Sequence, residues 1–143
     1  MKYYINVLRL DNFEVDFRNG FSTLAIAERK LKLSTQLSEG DMVISYVSSR
    51  VSSFASIRSI VNPSLIPSAK ILEYDVPIHG YIETRPELVL KESEWVRVKD
   101  IIQDLSFIKH KKYWMNKFLN SLFEINKKDF HIIRKLMVKS QKN

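Results

Sequence analysis

The sequence predicts an α+β domain: a small mixed or antiparallel β-barrel of five to six strands flanked by helices. Three observations lead there. Short β-branched and aromatic runs, separated by turn signals, recur along most of the chain. Helical spacing gathers toward the C-terminal half. Strands and helices do not alternate as βαβ units, so a parallel sheet is not expected, and closing short strands into a barrel removes exposed edges. The 143 residues are read as one domain, 1–143, large enough to bury a core without staples.

The elements follow in order. Tyr3-Tyr4-Ile5-Asn6-Val7-Leu8 is aromatic and β-branched and reads as a strand. Phe13, Val15 and Phe17 mark a short amphipathic stretch that ends at the turn signal Asn19-Gly20. Ala25 to Leu33 is expected to hold a short helix. Glu39-Gly40-Asp41 is a tight turn into the strand Met42–Val47. Phe54 to Val61 alternates and forms the next strand of a hairpin, which Asn62-Pro63 and Pro67 are expected to break. Residues 70–82 alternate again, with Pro77 suggesting an edge or bulge, and residues 86–90 read as a loop or short strand. Val98, Ile101, Ile102 and Leu105 have the spacing of one helix face. Phe118 to Ile125 reads as the last strand. Asn126 is placed to cap a final helix whose apolar stripe is Phe130, Ile133, Leu136 and Met137.

Composition excludes several kinds of chemistry. There are no cysteines, so disulfides, thiolate zinc sites and cysteine nucleophiles are out, and a cytoplasmic location is expected. The three glycines, Gly20, Gly40 and Gly80, are too far apart for a phosphate-cradling loop. No apolar run is long enough to span a membrane. His79, His110 and His131 share no metal-ligand spacing, so neither a metal nor a cofactor is expected. The carboxylate pairs Asp11/Glu14 and Glu92/Glu94 are ordinary surface pairs, and no serine sits in a nucleophile elbow. A non-enzyme is expected.

The charge is uneven. Residues 1–106 carry 13 Lys/Arg against 14 Asp/Glu, whereas residues 107–143 carry ten against two. The whole excess of +7 therefore lies in the last quarter. Such a segment is either a phosphate-binding face or a solvated lysine-rich helix. The aromatics allow two readings as well. Tyr4, Phe21, Tyr113 and Trp114 fall at strand ends or in loops, where rings can stack an extruded base, or they are core.

Lys2-Tyr3-Tyr4-Ile5-Asn6-Val7 resembles the opening strand of EVE-domain proteins. Leu37-Ser38-Glu39-Gly40-Asp41-Met42-Val43-Ile44-Ser45-Tyr46-Val47, Phe54-Ala55-Ser56-Ile57 and Tyr74-Asp75-Val76-Pro77-Ile78 resemble three further strands. Leu105-Ser106-Phe107-Ile108-Lys109-His110-Lys111-Lys112-Tyr113-Trp114 is close to the family's L-S-F-I-K-N-K-x-x-W block, and Glu124-Ile125 with Lys128-Asp129-Phe130 mirrors its ending. The resemblance implies a PUA-like fold related to YTH domains. It also implies a reader of a modified, in particular methylated, base of DNA or RNA. Asn19-Gly20-Phe21-Ser22-Thr23-Leu24 looks like the YTH motif G-V-W-S-T-L, with Phe for Trp. By that resemblance Phe21 would be a cage wall, and Ser22 and Thr23 would read the base edge. Tyr4 and Trp114 are candidates for the opposite wall, Trp114 being either cage or core. Ser106 and Phe107 join the base-binding set, and Lys109, Lys111, Lys112 and Lys117 are the expected phosphate contacts. A nucleic acid is the expected partner, with a nuclease or defence-system subunit as a further one. No membrane is expected, and the chain would be a monomer or weak dimer. The alternatives are a small hydrolase processing a modified nucleoside, or the specificity subunit of a modification-dependent restriction system.

Overall fold

The computed structural model describes residues 1–48, 51–67 and 78–141. Its strands are β1 (Tyr3–Leu8), β2 (Thr23–Ala27), β3 (Met42–Val47), β4 (Ser53–Pro67), β5 (Ile78–Val89), β6 (Val96–Arg97) and β7 (Leu122–Ile125). Helices α1 (Leu10–Arg18), α2 (Leu31–Ser34) and α3 (Lys127–Gln141) are joined by several 3₁₀ turns. Six strands form one curled sheet in the order β2-β5-β4-β3-β1-β7, and the two-residue β6 adds to β4. The expected α+β architecture, a small mixed barrel with flanking helices, forms as a curled half-barrel. The sheet is mixed: β1 runs parallel to β3 in register Tyr3 with Met42 through Leu8 with Val47, and the other pairs are antiparallel.

Alternation along β1 sorts its side chains to two faces. Tyr3 and Ile5 join Ile44, Tyr46, Phe54 and Ile57 on the outer face, where α3 covers them with Phe130, Ile133 and Met137. Tyr4 joins Leu24, Ile26, Val43, Ile60, Ile82 and Leu122 on the inner face. A third cluster unites Leu8, Val47 and Ala55 with Phe13 and Phe21 under α1. Between the inner apolar clusters lies a polar layer. Asn6, Ser45 and Ser56 stand in register across β1, β3 and β4, and all are buried. Arg58 reaches into this layer.

Three expectations change. Asn62 and Pro63 do not end β4, which runs on to Pro67 with register shifts between Ile60 and Ile66. Proline is tolerated at such irregularities because no ladder donor is needed there. Ala25–Leu33 splits into the end of β2, a 3₁₀ turn and the single turn α2. The helix expected around Val98–Leu105 is instead two 3₁₀ turns after β6, although Val98, Ile101, Ile102 and Leu105 are all buried. Most of the 70–82 stretch, including the Tyr74–Pro77 block, lies outside the described residues.

The last helix forms as its cap predicts. The Asp129 amide donates to Asn126 Oδ1 at 2.8 Å, which satisfies one of the free donors of the first turn. No helix is long and apolar enough to cross a membrane among the described residues.

Candidate nucleic-acid interface

The curled sheet does not close. Its end strands β2 and β7 are not hydrogen-bonded to each other, and a cavity of about 620 Å³ lies at this seam. Asn6, Val7 and Leu8 of β1, Ala25, Ile26 and Ala27 of β2, Ile78, and Ser121 and Leu122 at the start of β7 line it. The lining is mostly apolar because residues that would otherwise face a closed core are left facing the gap. Polar groups sit among them. Asn6 and Asn12 bring amides, and Arg9, Glu28, Arg29 and Lys30 stand at the margin. Ser121 Oγ is buried and finds no hydrogen-bond partner among the described residues. A buried polar atom left unsatisfied costs free energy, so an orphan hydroxyl beside a cavity marks a place where a ligand's donor or acceptor is favoured.

The expected aromatic cage does not assemble around this cavity: no aromatic ring is among its described lining residues. Tyr4 is fully enclosed in the inner cluster, and its hydroxyl has no partner there. Burial, reinforced by the Asp41 and Glu124 carboxylates, pushes that hydroxyl up to about 12. Phe21 is 2% exposed and packs against Phe13 and Phe17, with the Arg58 guanidinium 5.3 Å above its ring. It follows Gly20, and both have positive φ, 66° and 54°. Left-handed backbone is rare for phenylalanine. Here the turn is held by Phe21 N–H donating to Asp16 O (2.9 Å) and Thr84 Oγ1 donating to Phe21 O (2.6 Å). Ser22 is exposed and its hydroxyl donates to Asn19 O, while Thr23 Oγ1 accepts from Asn19 Nδ2.

Arg58 organises this region. Its side chain is 0% exposed; Nη2 contacts Asp16 Oδ2 at 2.6 Å and Ser45 Oγ at 3.3 Å, and Nη1 donates to Thr23 O at 2.9 Å. One guanidinium thus ties α1, β2 and β3 to β4, and so positions two of the elements that line the cavity.

The Ser106–Trp114 block lies elsewhere and does other work. Asp129 is fully buried at the start of α3 and accepts from Ser106 N, Ser106 Oγ and Phe107 N. Ser106 therefore fastens α3, and the Phe107 ring packs on Phe118 and Phe123. Lys111 Nζ donates to Leu105 O at 2.6 Å, Lys112 Nζ lies over the Tyr113 ring and Lys117 Nζ over the Phe123 ring. Lys109 is exposed. None of the four lines the seam cavity.

Trp114 lines a separate cleft of about 260 Å³ with Tyr46, Ser48, Ser52, Arg97, Met115 and Phe118. Tyr46 stacks on Phe118 at 4.0 Å and 16°, and Trp114 meets Phe118 edge-on at 6.2 Å. Burial raises the Tyr46 hydroxyl above its ordinary value, partly offset by its hydrogen bond with Ser52.

The chain is similar in structure to the YTH domain-containing protein Mmi1 in its complex with RNA, with TM-score 0.70 and 11% identity over 99% of this chain and 87% of that one. The fold is YTH-like. The crystal structure of the Mmi1 YTH domain gives TM-score 0.67 and 10% identity over 98% and 97% of the two chains. Protein PSPTO5229 from Pseudomonas syringae gives 0.65 and 14% over 94% and 99%. No protein-family model and no curated protein matches the sequence. In this YTH-like sheet, sequence reasoning missed Asn6, Arg9, Asn12, Arg29 and Lys30 as cavity residues. Asn6 carried a signal: a polar side chain inside an apolar strand, on the face that alternation turns inward.

Proposed function

We propose that the protein is a non-catalytic nucleic-acid reader that takes one base of DNA or RNA into the seam cavity and favours a modified base. The observation that carries this reading is the cavity itself: an apolar hollow with amides at its wall, an unsatisfied Ser121 hydroxyl and cations at its margin. A base needs that combination. Its faces are covered by apolar side chains, its edge is read by amides and hydroxyls, and the adjoining phosphates meet Arg9, Arg29 and Lys30. A base methyl group buried against Leu8, Ile26 or Ile78 would gain about 0.8 kcal/mol, roughly fourfold in affinity. The sequence blocks that resemble EVE domains support placing the chain with that family, and the YTH-like fold agrees with it.

The test is a binding titration over methylated and unmodified DNA and RNA oligonucleotides. Ala27→Trp fills the cavity and should abolish base-dependent binding, while Arg29→Glu with Lys30→Glu should weaken all sequences alike. If the three margin cations each neutralise a phosphate, log K falls against log salt with a slope of roughly −2 to −3. Unaltered binding by the Ala27→Trp protein would overturn the assignment. Product analysis with free modified nucleosides in the same experiment separates a reader from a processing enzyme.

A further inference from the structure

The second cleft has a different chemistry from the seam cavity. The stack of Tyr46 on Phe118 is buried beneath this cleft, and the half-buried Trp114 meets Phe118 edge-on and presents the accessible ring. Arg97 and Lys99 line the cleft, both exposed, and no carboxylate is among its described lining residues. The 3₁₀ segment Lys111–Leu119 that supplies Trp114, Met115 and Phe118 also carries Lys111, Lys112 and Lys117. The basic excess of the sequence thus begins beside this cleft and not beside the seam.

The two hollows share one end of the sheet. Leu8 and Arg9 line the first, and Ser48 lines the second. Ser48 N–H donates to Leu8 O at 2.8 Å, so among the described residues the joined tips of β1 and β3 connect them. Tyr46 reaches the outer face of the sheet while Asn6 faces inward.

We propose that this cleft is a second nucleotide subsite, which stacks an unpaired base of the same strand on Trp114 and holds its phosphate with Arg97 and Lys99. The inference rests on the nucleic-acid reading above and specifies its ligand class as single-stranded. Stacking needs a free π-face, which a base inside a duplex does not offer to a side chain. Rings beside Arg and Lys, without acids, are the composition of single-strand platforms. A cationic peptide would call for a carboxylate, and none is among the cleft's described lining residues.

The test measures fluorescence anisotropy of labelled single strands of about 3 and about 9 nucleotides with the wild-type protein and its variants. Arg97→Ala with Lys99→Ala changes exposed side chains only. It should cost roughly tenfold or more on the longer strand and nothing on the shorter. Trp114→Ala should cost roughly 5- to 100-fold on the longer strand, with Trp114→Phe retaining most of the affinity. Duplex of the same sequence should compete poorly. Wild-type affinity of these variants for both lengths would overturn the second subsite and leave the seam reading intact. Loss in these variants alongside full binding by Ala27→Trp would keep the second subsite and remove the seam reading. Absence of binding by the wild-type protein at either length overturns both, and equal competition by duplex overturns the single-strand assignment.

Discussion

Replacing Arg58 by alanine would remove the cation that joins four parts of the molecule. Arg58 is 0% exposed and the Asp16 side chain 1% exposed, so neither water nor salt screens their 2.6 Å contact. The truncation also takes donors from Thr23 O and Ser45 Oγ. Losing one partner of a buried pair typically costs 3–5 kcal/mol, because the remaining charge stays desolvated without its counter-ion. A chain of 143 residues has an unfolding entropy of about 0.3 kcal/mol/K, so a cost of about 4 kcal/mol lowers Tm by roughly 13 °C. Asp16→Asn keeps the shape and a weaker hydrogen bond, and should cost less than Arg58→Ala. The paired change Arg58→Met with Asp16→Leu removes both charges and should lie within about 2 kcal/mol of the wild type. Thermal and urea unfolding followed by circular dichroism measures all three. A cost below about 1 kcal/mol for Arg58→Ala would refute the reasoning. So would a double variant as unstable as the single one, since the damage would then come from lost packing and not from a stranded charge.

Gly80 has no room for a side chain: a Cβ would lie 2.4 Å from Ile66 O, a backbone atom. Gly80→Ala should cost about 1–3 kcal/mol by urea unfolding through forced displacement of β4 from β5. Asp129→Ala should cost roughly 2–3 kcal/mol, since it leaves the Ser106 and Phe107 amides without their acceptor. Hydrogen exchange should then show faster opening at the start of α3. The Tyr4 hydroxyl, pushed up to about 12 when folded, makes stability depend on alkaline pH. Below pH ~10 both states hold the proton; between ~10 and ~12 only the folded state does, so stability falls by up to roughly 2–3 kcal/mol. Tyr4→Phe should remove that part of the slope, measured by urea unfolding against pH with phenolate absorbance as a check.

Much of the sheet was legible because alternation and turns are local signals. β1, β3, the β3–β4 hairpin and the Asn126 cap follow from residues close in sequence. The parallel pairing of β1 with β3 did not, since it depends on how distant segments meet. Val98, Ile101, Ile102 and Leu105 were correctly seen as one buried face, but 3₁₀ turns bury residues at similar spacing, and the pattern does not separate them from an α-helix. The site was harder to read. Tyr4 and Phe21 are aromatic at a strand and a turn whether they face a ligand or a core, and here both are enclosed. The seam cavity is made by small residues, Ala25 and Ala27, and by the absence of a strand contact. Neither leaves a mark in composition.

The order of the strands has a consequence for how the molecule assembles. β1 sits between β3 and β7, so the first strand of the chain has one neighbour from mid-sequence and one from residues 122–125. During synthesis β1 must wait with an unpaired edge until β7 emerges, and an unpaired edge invites pairing with other chains. Ser121 and Leu122 also complete the cavity wall. The cavity is therefore completed only by the last strand, and a nascent chain that has folded everything up to β6 still has no finished pocket.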